Sequence, residues 1–409
     1  MLNERGTSFC RACTTKLSLL PILSLGNQPL SNALTSLENE VTSPSLFPLD
    51  FRICNTCGLG QIGEFVSPKD IFEDYTYFSS ASSFWLAHSE RYATEVISKY
   101  KLNKSNLVLE IASNDGYLLR KFADRGLPVL GIEPAKNVAR FAESIGVPTL
   151  TKFFGEETAK SVIESGFKPS LVIANNVLAH VPDINDFMAG LECFAKNGAR
   201  ISIEAPSMMT MLTQNLFDTI YHEHFSYLSV SSVSKLADKF NLNLYHVEYL
   251  NTHGGSYRYW ISSDFSNENK SVDEWARKEK ESGIFESLEQ NNFANNSLNA
   301  IIAFKSWVES NSGKILGYGA AAKATVLLNA AGISNDQITA IIDNGQGKQY
   351  KRIPGVNVPI FPPQDVSFND FEKLVVFPWN IADEIVGSVS KINSNVEIWV
   401  ALPELRKLR

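Results

Sequence analysis

The sequence predicts an α/β protein of three units, and three observations carry that prediction. Two CxxC pairs stand near the N-terminus, Cys10 with Cys13 and Cys54 with Cys57. Beyond them, strand-like apolar runs alternate with amphipathic stretches, which is typical of βαβ units and a parallel sheet. After a polar stretch the same alternation starts again near residue 314. We therefore expect a small metal-binding unit followed by two α/β units.

The expected boundaries follow these changes of pattern. The metal-binding unit spans residues 1–70, the first α/β unit 71–265 and the second 313–409. Between them, residues 266–312 carry apolar side chains at helical spacing, which predicts one long solvated helix, with disorder as the alternative at 289–296. In the first α/β unit the expected strands are 107–111, 129–132, 171–174 and 200–203, and the expected helices are 84–100, 117–125, 135–145, 159–165 and 184–195. In the second α/β unit the expected strands are 314–318, 339–342, 358–360, 374–377 and 396–400.

Composition narrows the class of protein. The chain has 409 residues, 44% of them hydrophobic and 20% charged, with a net charge of -7. A mildly acidic chain disfavours a dedicated nucleic-acid binder. No secretion signal and no apolar run long enough to span a membrane is visible. We expect a cytoplasmic protein with reduced thiols and without nucleic-acid or membrane partners; its oligomeric state is open, and a monomer is compatible with the sequence.

The two CxxC pairs predict a structural zinc site. A two-residue gap lets one turn present both thiolates to a tetrahedral metal, and two such pairs complete a closed four-sulfur shell. The alternative is a redox dithiol, but neither pair opens a helix in a βαβ context. A fifth cysteine, Cys193, is expected to be an ordinary buried thiol.

A nucleoside site is predicted where the first strand of the α/β unit ends. The sequence there is LVLEIASNDGY (residues 107–117), with small residues that permit close backbone approach. The loop has one glycine and carries Asp115, which disfavours a pyrophosphate and favours a cationic nucleoside such as S-adenosylmethionine. Glu133, after the next strand, could accept hydrogen bonds from ribose hydroxyls. An ordinary strand-turn-helix is the alternative. The predicted cofactor contacts are Glu110, Ala112, Ser113, Asn114, Asp115, Gly116, Glu133, Pro134, Phe154, Asn175, Asn176 and His180.

The densest group of titratable side chains is FDTIYHEHFSY at residues 217–227. Its histidines are two positions apart, whereas the helical zinc-protease motif needs four, so a catalytic metal is disfavoured. General acid–base chemistry fits better, because a histidine titrates near pH 7 and a neighbouring glutamate can orient it. A polar loop without catalytic function is the alternative.

Three further motifs point to ligand contacts. DYTYFSS (residues 74–80) brings two tyrosines near the start of the first α/β unit, and THGGSYR (residues 252–258) suits a phosphate or sugar. GYGAAA (residues 317–322) follows a strand and fits G-x-G-x-x-A, with Asp343 about 20 residues later. By itself that loop favours a rival interpretation, an NAD(P)-dependent sugar-modifying oxidoreductase or a reductase fused to a methyltransferase.

Taken together, these motifs resemble the sugar C-methyltransferases of deoxysugar biosynthesis. The resemblance covers nearly the whole chain. It rests on the two cysteine pairs and on GNQPLSN (26–32), YTYFSS (75–80), EIASNDG (110–116), GIEPAKN (131–137), FDTIYHEHFSYLS (217–229), HGGSYR (253–258) and GYGAAAK (317–323). One departure is Ser113, where family members often have cysteine.

The resemblance implies a small zinc-binding domain, a Rossmann-like class I methyltransferase domain and a C-terminal Rossmann-like α/β domain that anchors a nucleotide diphosphate. It implies S-adenosylmethionine as cofactor and a nucleotide-linked 4-keto-6-deoxy sugar as substrate, methylated at C-3. His224 would be the base, with Tyr221, Glu223 and Tyr75, or else Tyr77, around the reacting carbon. The implied substrate contacts are Ser79, Ser80, His222, His253, Gly254, Arg258, Tyr318 and Lys323. A non-catalytic zinc-ribbon interaction protein would leave the YHEH and EIASNDG motifs without a use.

Overall fold

The computed structural model describes residues 7–67, 78–266, 270–311, 315–392 and 395–409. The strands are β1 (Leu23–Pro29), β2 (Thr35–Ser36), β3 (Leu46–Ile53), β4 (Gly60–Gln61), β5 (Leu107–Ile111), β6 (Val129–Ile132), β7 (Thr149–Leu150), β8 (Pro169–Asn175), β9 (Arg200–Pro206), β10 (Ser226–Tyr227), β11 (Asn243–Leu250), β12 (Ser256–Ser262), β13 (Ile315–Tyr318), β14 (Ile338–Ile342), β15 (Lys351–Arg352), β16 (Pro359–Phe361), β17 (Lys373–Val376), β18 (Glu397–Val400) and β19 (Arg406–Lys407). The helices are α1 (Ser83–Tyr100), α2 (Leu119–Ala123), α3 (Lys136–Ser144), α4 (Glu156–Glu164), α5 (Ile184–Lys196), α6 (Met208–Thr213), α7 (Val230–Lys239), α8 (Lys270–Glu281), α9 (Ser287–Ser310), α10 (Ala322–Ala331) and α11 (Ala382–Ile392).

The central domain is a seven-stranded sheet in the order β11-β12-β9-β8-β5-β6-β7. The five strands from β9 to β7 are parallel, as their apolar sequences predict, and β12 pairs antiparallel with both β9 and β11. Strands buried on both faces, such as β5 and β8, need helices on both sides of the sheet. The carboxyl ends of β5 and β8 therefore open between helical layers, where doubly wound folds bind ligands.

The C-terminal domain contains a second, mostly parallel sheet. Its order is β19-β18-β17-β13-β14-β16-β15-β2, with β18, β17, β13, β14 and β16 parallel. Strand order reverses between β13 and β17, so the topological switch point lies beside the glycine loop that follows β13. Both predicted α/β units are present.

Two strands cross the predicted domain boundaries. The N-terminal sheet has the order β1-β3-β4-β10, so residues 226–227 of the central unit complete it. Conversely, β2 belongs by sequence to the metal-binding unit but pairs with β15 in the C-terminal sheet. The three units are interlocked by these exchanges.

The linking segment differs from its prediction. It forms two helices, α8 and α9, because Gly283 adopts φ +72° in the turn between them. The polar stretch 289–296 is helical within α9, so the alternative of disorder is wrong. Phe293 and Phe304 anchor α9 in the core, while Leu288 and Leu298 are exposed. No helix in the described ranges is long and apolar enough to cross a membrane.

The helix α7 is held at its N-terminus by a buried carboxyl from α8. Glu279 accepts hydrogen bonds from the backbone N–H groups of Val230 (2.6 Å) and Ser231 (3.0 Å) and from the Ser231 hydroxyl (2.9 Å). The first N–H groups of a helix have no partner inside it. Glu279 thus joins the linking helices to the central domain.

Replacing this carboxyl tests the junction. Glu279→Ala should lower the free energy of unfolding by about 2–3 kcal/mol, because it leaves buried N–H groups unpaired. The control is Glu281→Ala, which removes an exposed ion pair with Arg277 and should cost less than about 0.5 kcal/mol. Equal losses in the two variants, measured by urea unfolding, would contradict the role given to Glu279.

Candidate active site

Four thiols of the N-terminal domain converge on one point. The Sγ atoms of Cys10, Cys13, Cys54 and Cys57 all lie within 4.8 Å of one another, and none forms a disulfide. Cys10 is 3.5 Å from Cys57, and Cys13 is 3.5 Å from Cys54. Four sulfurs at the usual Zn–S length of about 2.3 Å would be about 3.8 Å apart, so these thiols fit a tetrahedral zinc.

The cysteine turns are docked onto the central domain through their backbone and through Arg11. The Arg11 guanidinium donates to the carbonyls of Ile62 (2.6 Å) and Pro182 (3.0 Å) and lies 5.5 Å from the Phe225 ring centroid. Lys239 on α7 donates to the Ala12 carbonyl (2.8 Å). The metal site therefore holds a surface that packs next to the YHEH segment.

Near the carboxyl ends of β5 and β8, four buried polar atoms have no hydrogen-bond partner. Among the described residues, Glu110 Oε2, Ser113 Oγ, Asp115 Oδ1 and Asn175 Oδ1 are buried and make no hydrogen bond. Buried polar groups are normally paired, because an unpaired one costs free energy. Four acceptor-rich groups in one place fit a bound molecule with amino and hydroxyl donors, as S-adenosylmethionine has.

The backbone around these atoms is strained in a way typical of binding sites. Ala112 (φ +54°), Asn114 (φ +50°) and Asn176 (φ +54°) are non-glycine residues in the left-handed region. Such conformations persist only where surrounding structure enforces them, and they cluster at functional sites.

Glu133 stabilises this loop. Its carboxyl accepts hydrogen bonds from the backbone N–H groups of Asn114 (2.9 Å) and Ala135 (2.9 Å), and burial raises its pKa. The predicted ribose contact therefore also fixes the cofactor loop. Pro134 lies in the turn between Glu133 and α3.

The residues before α1 lie across the cofactor loop. The backbone N–H of Ser79 donates to Asn114 Oδ1 (3.0 Å), and that of Ser80 donates to Asp115 Oδ2 (3.0 Å). These serines thus contact the predicted cofactor residues rather than standing apart from them. Tyr75 and Tyr77 lie outside the described residues.

The base candidate, His224, has a defined tautomer. Its Nδ1 is 3.0 Å from the Thr219 carbonyl, and its Nε2 is 2.7 Å from the Tyr221 hydroxyl. Because a carbonyl only accepts, Nδ1 carries the proton and Nε2 accepts from Tyr221. Burial, reinforced by His180, lowers the pKa of His224 well below its usual range. The ring is neutral at pH 7, as a general base must be.

The base lies against the cofactor edge of the central sheet. His180, in the turn after β8, places its ring centroid 4.7 Å from that of His224 with the rings nearly perpendicular. Burial lowers the pKa of His180 to about 4, so the pair carries no charge at neutral pH. The structure thus brings the predicted base next to a predicted cofactor contact.

Glu223 has a partner that the sequence interpretation missed. Its Oε1 accepts a hydrogen bond from Asn32 Nδ2 (2.7 Å), which comes from the N-terminal domain. Burial raises the pKa of Glu223 to about 7, while the Asn32 amide lowers it. The only sequence signal for Asn32 was its place at the end of GNQPLSN.

A second cluster joins the YHEH segment to the C-terminal domain. Its Lys323 and Gly254 are predicted substrate contacts, whereas Asp218 and Trp379 were not predicted. Asp218 Oδ2 accepts from Trp379 Nε1 (2.8 Å), and burial raises the pKa of Asp218 to about 6. Lys323 Nζ lies 3.7 Å from the Trp379 ring centroid, and burial lowers its pKa to about 8. Gly254 fits because a Cβ there would be 2.5 Å from Trp379.

Two other predicted substrate contacts lie around this cluster. His253 packs its ring 4.8 Å from that of Trp85 on α1, and burial lowers its pKa to about 4. Tyr318, at the end of β13, accepts a hydrogen bond from Asn344 Nδ2 through its hydroxyl (3.2 Å).

Three predicted contacts have other environments. Arg258 is 4% exposed and forms ion pairs with Glu204 (2.7 Å) and Glu248 (2.8 Å), so its charge is already balanced inside the protein. The assignment of Arg258 to the substrate does not fit this position, because its neighbours across the sheet, Glu204 on β9 and Glu248 on β11, supply carboxylates.

Phe154 and His222 also have contacts with other protein groups. Phe154 stacks on Phe194 and lies edge-on to Phe187 in the core between α4 and α5, so its assignment to the cofactor is not supported by the packing. His222 Nε2 is 3.2 Å from the Pro48 carbonyl of β3, and His222 therefore ties the YHEH segment to the N-terminal sheet.

The glycine loop after β13 is filled by protein. A Cβ on Gly319 would be 2.5 Å from Pro378. Both Asp343 oxygens accept backbone N–H groups, from Ala320 (2.7 Å) and Gly345 (2.7 Å). In a dinucleotide fold this acidic residue binds a ribose, so its use here to close the loop argues against the nicotinamide alternative.

Comparison with known proteins agrees with this architecture. Three family models match in succession: "Putative zinc binding domain" over residues 10–72, "Methyltransferase domain" over 85–247 and "C-methyltransferase C-terminal domain" over 251–403. The C-methyltransferase NovU of Streptomyces niveus is 28% identical over 403 residues, which is 97% of this chain and 96% of that protein. Over nearly its whole length, this chain is therefore similar to a C-methyltransferase. It is an S-adenosylmethionine-dependent methyltransferase with a zinc-binding N-terminal domain, and the predicted fold class and cofactors are confirmed. The oxidoreductase alternative finds no support in these matches.

Solved structures resemble part of the chain. Magnesium protoporphyrin IX methyltransferase (ChlM) from Synechocystis PCC 6803 with bound SAM is 14% identical, with 44% of this chain and 79% of that chain covered and a TM-score of 0.33. A SAM dependent methyltransferase from Archaeoglobus fulgidus is 16% identical, with 40% and 73% covered and a TM-score of 0.33.

Removing one zinc ligand should destabilise the protein more than changing the fifth cysteine, Cys193. Cys54→Ser should reduce bound zinc from about one per chain to well below one and lower the thermal midpoint by several degrees, because structural zinc contributes folding free energy. Cys193→Ser, which alters a thiol remote from the site, should retain the metal. Elemental analysis with thermal unfolding checks both variants, and full zinc retention by Cys54→Ser would refute the ligand assignment.

The buried Glu223 predicts a specific pH effect on stability. Its pKa in the folded protein, about 7, exceeds its ordinary value of 4.5, so its contribution is present at low pH and is lost as pH rises through 7. Glu223→Gln cannot titrate and should gain about 2–3 kcal/mol relative to the wild type between pH 5 and pH 8. Urea unfolding at the two pH values measures this, with exposed Glu309→Gln as control. A pH-independent difference would show that Glu223 titrates normally.

Proposed function

We propose that this enzyme methylates a carbon next to the ketone of a nucleotide-linked 4-keto-6-deoxy sugar, with C-3 as the methylated position. The observation that carries the proposal is the partly buried, hydrogen-bonded pair of Tyr221 and a neutral His224 beside His180. Carbon–carbon bond formation needs a carbanion equivalent, and a base is needed to make one. An enzyme that methylated an oxygen or nitrogen lone pair would need no such base aimed at carbon.

The surroundings of the pair suit a polar, phosphorylated substrate. Glu223 offers a carboxyl for a ring hydroxyl or amino group. Lys323 lies at the N-terminus of α10, where the helix dipole also favours an anion, so the diphosphate would lie towards the C-terminal domain. Tyr318, at the end of β13, lies beside the topological switch point of the C-terminal sheet.

The reaction follows from the hydrogen bonds of His224. Bound S-adenosylmethionine supplies an electrophilic methyl group that a carbanion equivalent can accept. His224 Nε2 takes the proton from the carbon beside the ketone, and the C–H electron pair forms an enolate. As this happens, the Tyr221 hydroxyl turns from Nε2 to donate to the enolate oxygen. The Thr219 carbonyl keeps the positive imidazolium oriented through Nδ1.

Substrate identity is tested by supplying methyl-labelled S-adenosylmethionine with a panel of nucleotide-linked 4-keto-6-deoxy sugars. Mass spectrometry and NMR should show label on carbon in one of them. His224→Asn should reduce the rate by at least about 10²-fold while cofactor binding, measured by calorimetry, is retained. His246→Asn, which changes a histidine on the outer strand β11, is the matched control. Label on oxygen or nitrogen, or near-normal turnover by His224→Asn, would overturn the proposal.

A further inference from the structure

Residues 30–34 connect two domains by passing over the active site. The preceding strand, β1, belongs to the N-terminal sheet, and the following strand, β2, pairs with β15 in the C-terminal sheet. The connection is short, so its path is restricted at both ends. We refer to residues 30–34 as the crossing segment.

The backbone of the crossing segment is fixed at several points. Its Ser31 carbonyl accepts a hydrogen bond from the Thr325 hydroxyl of α10 (2.9 Å), and Ser31 is buried. Within the segment, the N–H of Ala33 donates to the Leu30 carbonyl (3.1 Å). Asn32 is thereby held between two anchored neighbours.

The Asn32 side chain reaches the buried carboxyl of Glu223. Its amide Nδ2 donates to Oε1 at 2.7 Å, although the two residues are 191 positions apart. Asn32 is exposed, whereas Glu223 is 4% exposed. In the described part of the chain no other side chain bonds to this carboxyl, so the second oxygen is available to a ligand.

The titratable groups around Glu223 do not supply a positive charge at neutral pH. They are His222 and His224 on its own segment and His180 from the turn after β8, and burial lowers the pKa of all three. The crossing segment has no charged residue. The amide dipole of Asn32 is therefore what favours the ionised carboxylate here.

We propose that Asn32 is a positioning residue for methyl transfer. It holds Glu223 as a carboxylate with one oxygen directed to accept a hydrogen bond from a hydroxyl or amino group of the substrate. This inference rests on the proposed function. It assigns the N-terminal domain a part in the chemistry beyond zinc binding, because that domain delivers Asn32 to the site.

The pH dependence of kcat/KM distinguishes this role from a structural one. With the sugar that the wild type methylates, activity should rise with pH through about 7. In Asn32→Ala the same rise should move up by about one pH unit, because a hydrogen bond to a charged group is lost. Activity at pH 7 should fall about fivefold and recover to within a few fold above pH 9. Asn39→Ala, which changes an exposed asparagine in the loop after β2, should match the wild type.

Two outcomes would overturn the proposal: a loss of the same size at every pH, which marks a structural contact, or an unchanged profile.

A second measurement needs no substrate. Asn32→Ala should steepen the loss of stability between pH 5 and pH 8, and should not do so in a Glu223→Gln background. If no sugar on the panel is methylated, the proposed function fails, yet this unfolding comparison still decides whether Asn32 acts on Glu223; equal effects in both backgrounds would refute it.

Discussion

The segment 217–227 has no core of its own, and the rest of the active site depends on the contacts that hold it. Strand β10 completes the N-terminal sheet, where Tyr227 packs edge-on against Phe51. Asp218 binds Trp379 of the C-terminal domain, and His224 packs on His180 of the central domain. The segment that carries the proposed base, His224, is therefore held by contacts with all three domains. This explains why strands are exchanged across the domain boundaries.

In this arrangement the zinc site stabilises a domain that contacts the YHEH segment. A short N-terminal unit with a four-stranded sheet buries little apolar surface, and a tetrahedral metal compensates for that. The unit then offers three rigid features to the YHEH segment. Strand β4 pairs with β10, the Pro48 carbonyl binds His222, and the chain after β1 carries Asn32 to Glu223. The metal site therefore supports the domain that contacts the YHEH segment.

Local patterns predicted much of the fold. Residues 107–111 and 129–132 form strands with the predicted bounds, and the alternation that follows gives the parallel part of the sheet. The cysteine pairs and the YHEH segment could also be recognised, because in each motif the chemically important residues lie only a few positions apart in the sequence. The two helices of the linker were predicted as one, since a single Gly283 in a polar sequence does not reveal a turn.

The remaining features depend on contacts between distant parts of the chain. Arg258 and His222 looked like ligand contacts because of their neighbours in sequence, but Glu204 and Pro48 are their partners in space. The hydrogen bond from Asn32 to Glu223 could not be predicted from the sequence either. Periodicity and spacing report on local structure, and they carry no information on which distant carboxyl or carbonyl a side chain will meet.

The central claim is that His224 removes a proton from carbon before methyl transfer. Solvent exchange measures that step alone. The enzyme is incubated in D₂O with S-adenosylhomocysteine and a nucleotide-linked 4-keto-6-deoxy sugar, and the hydrogens beside the ketone are followed by NMR. The account predicts exchange at one carbon well above the enzyme-free rate in the wild type, and none above it in His224→Asn. Equal exchange in both proteins would contradict the assignment of His224 as the base.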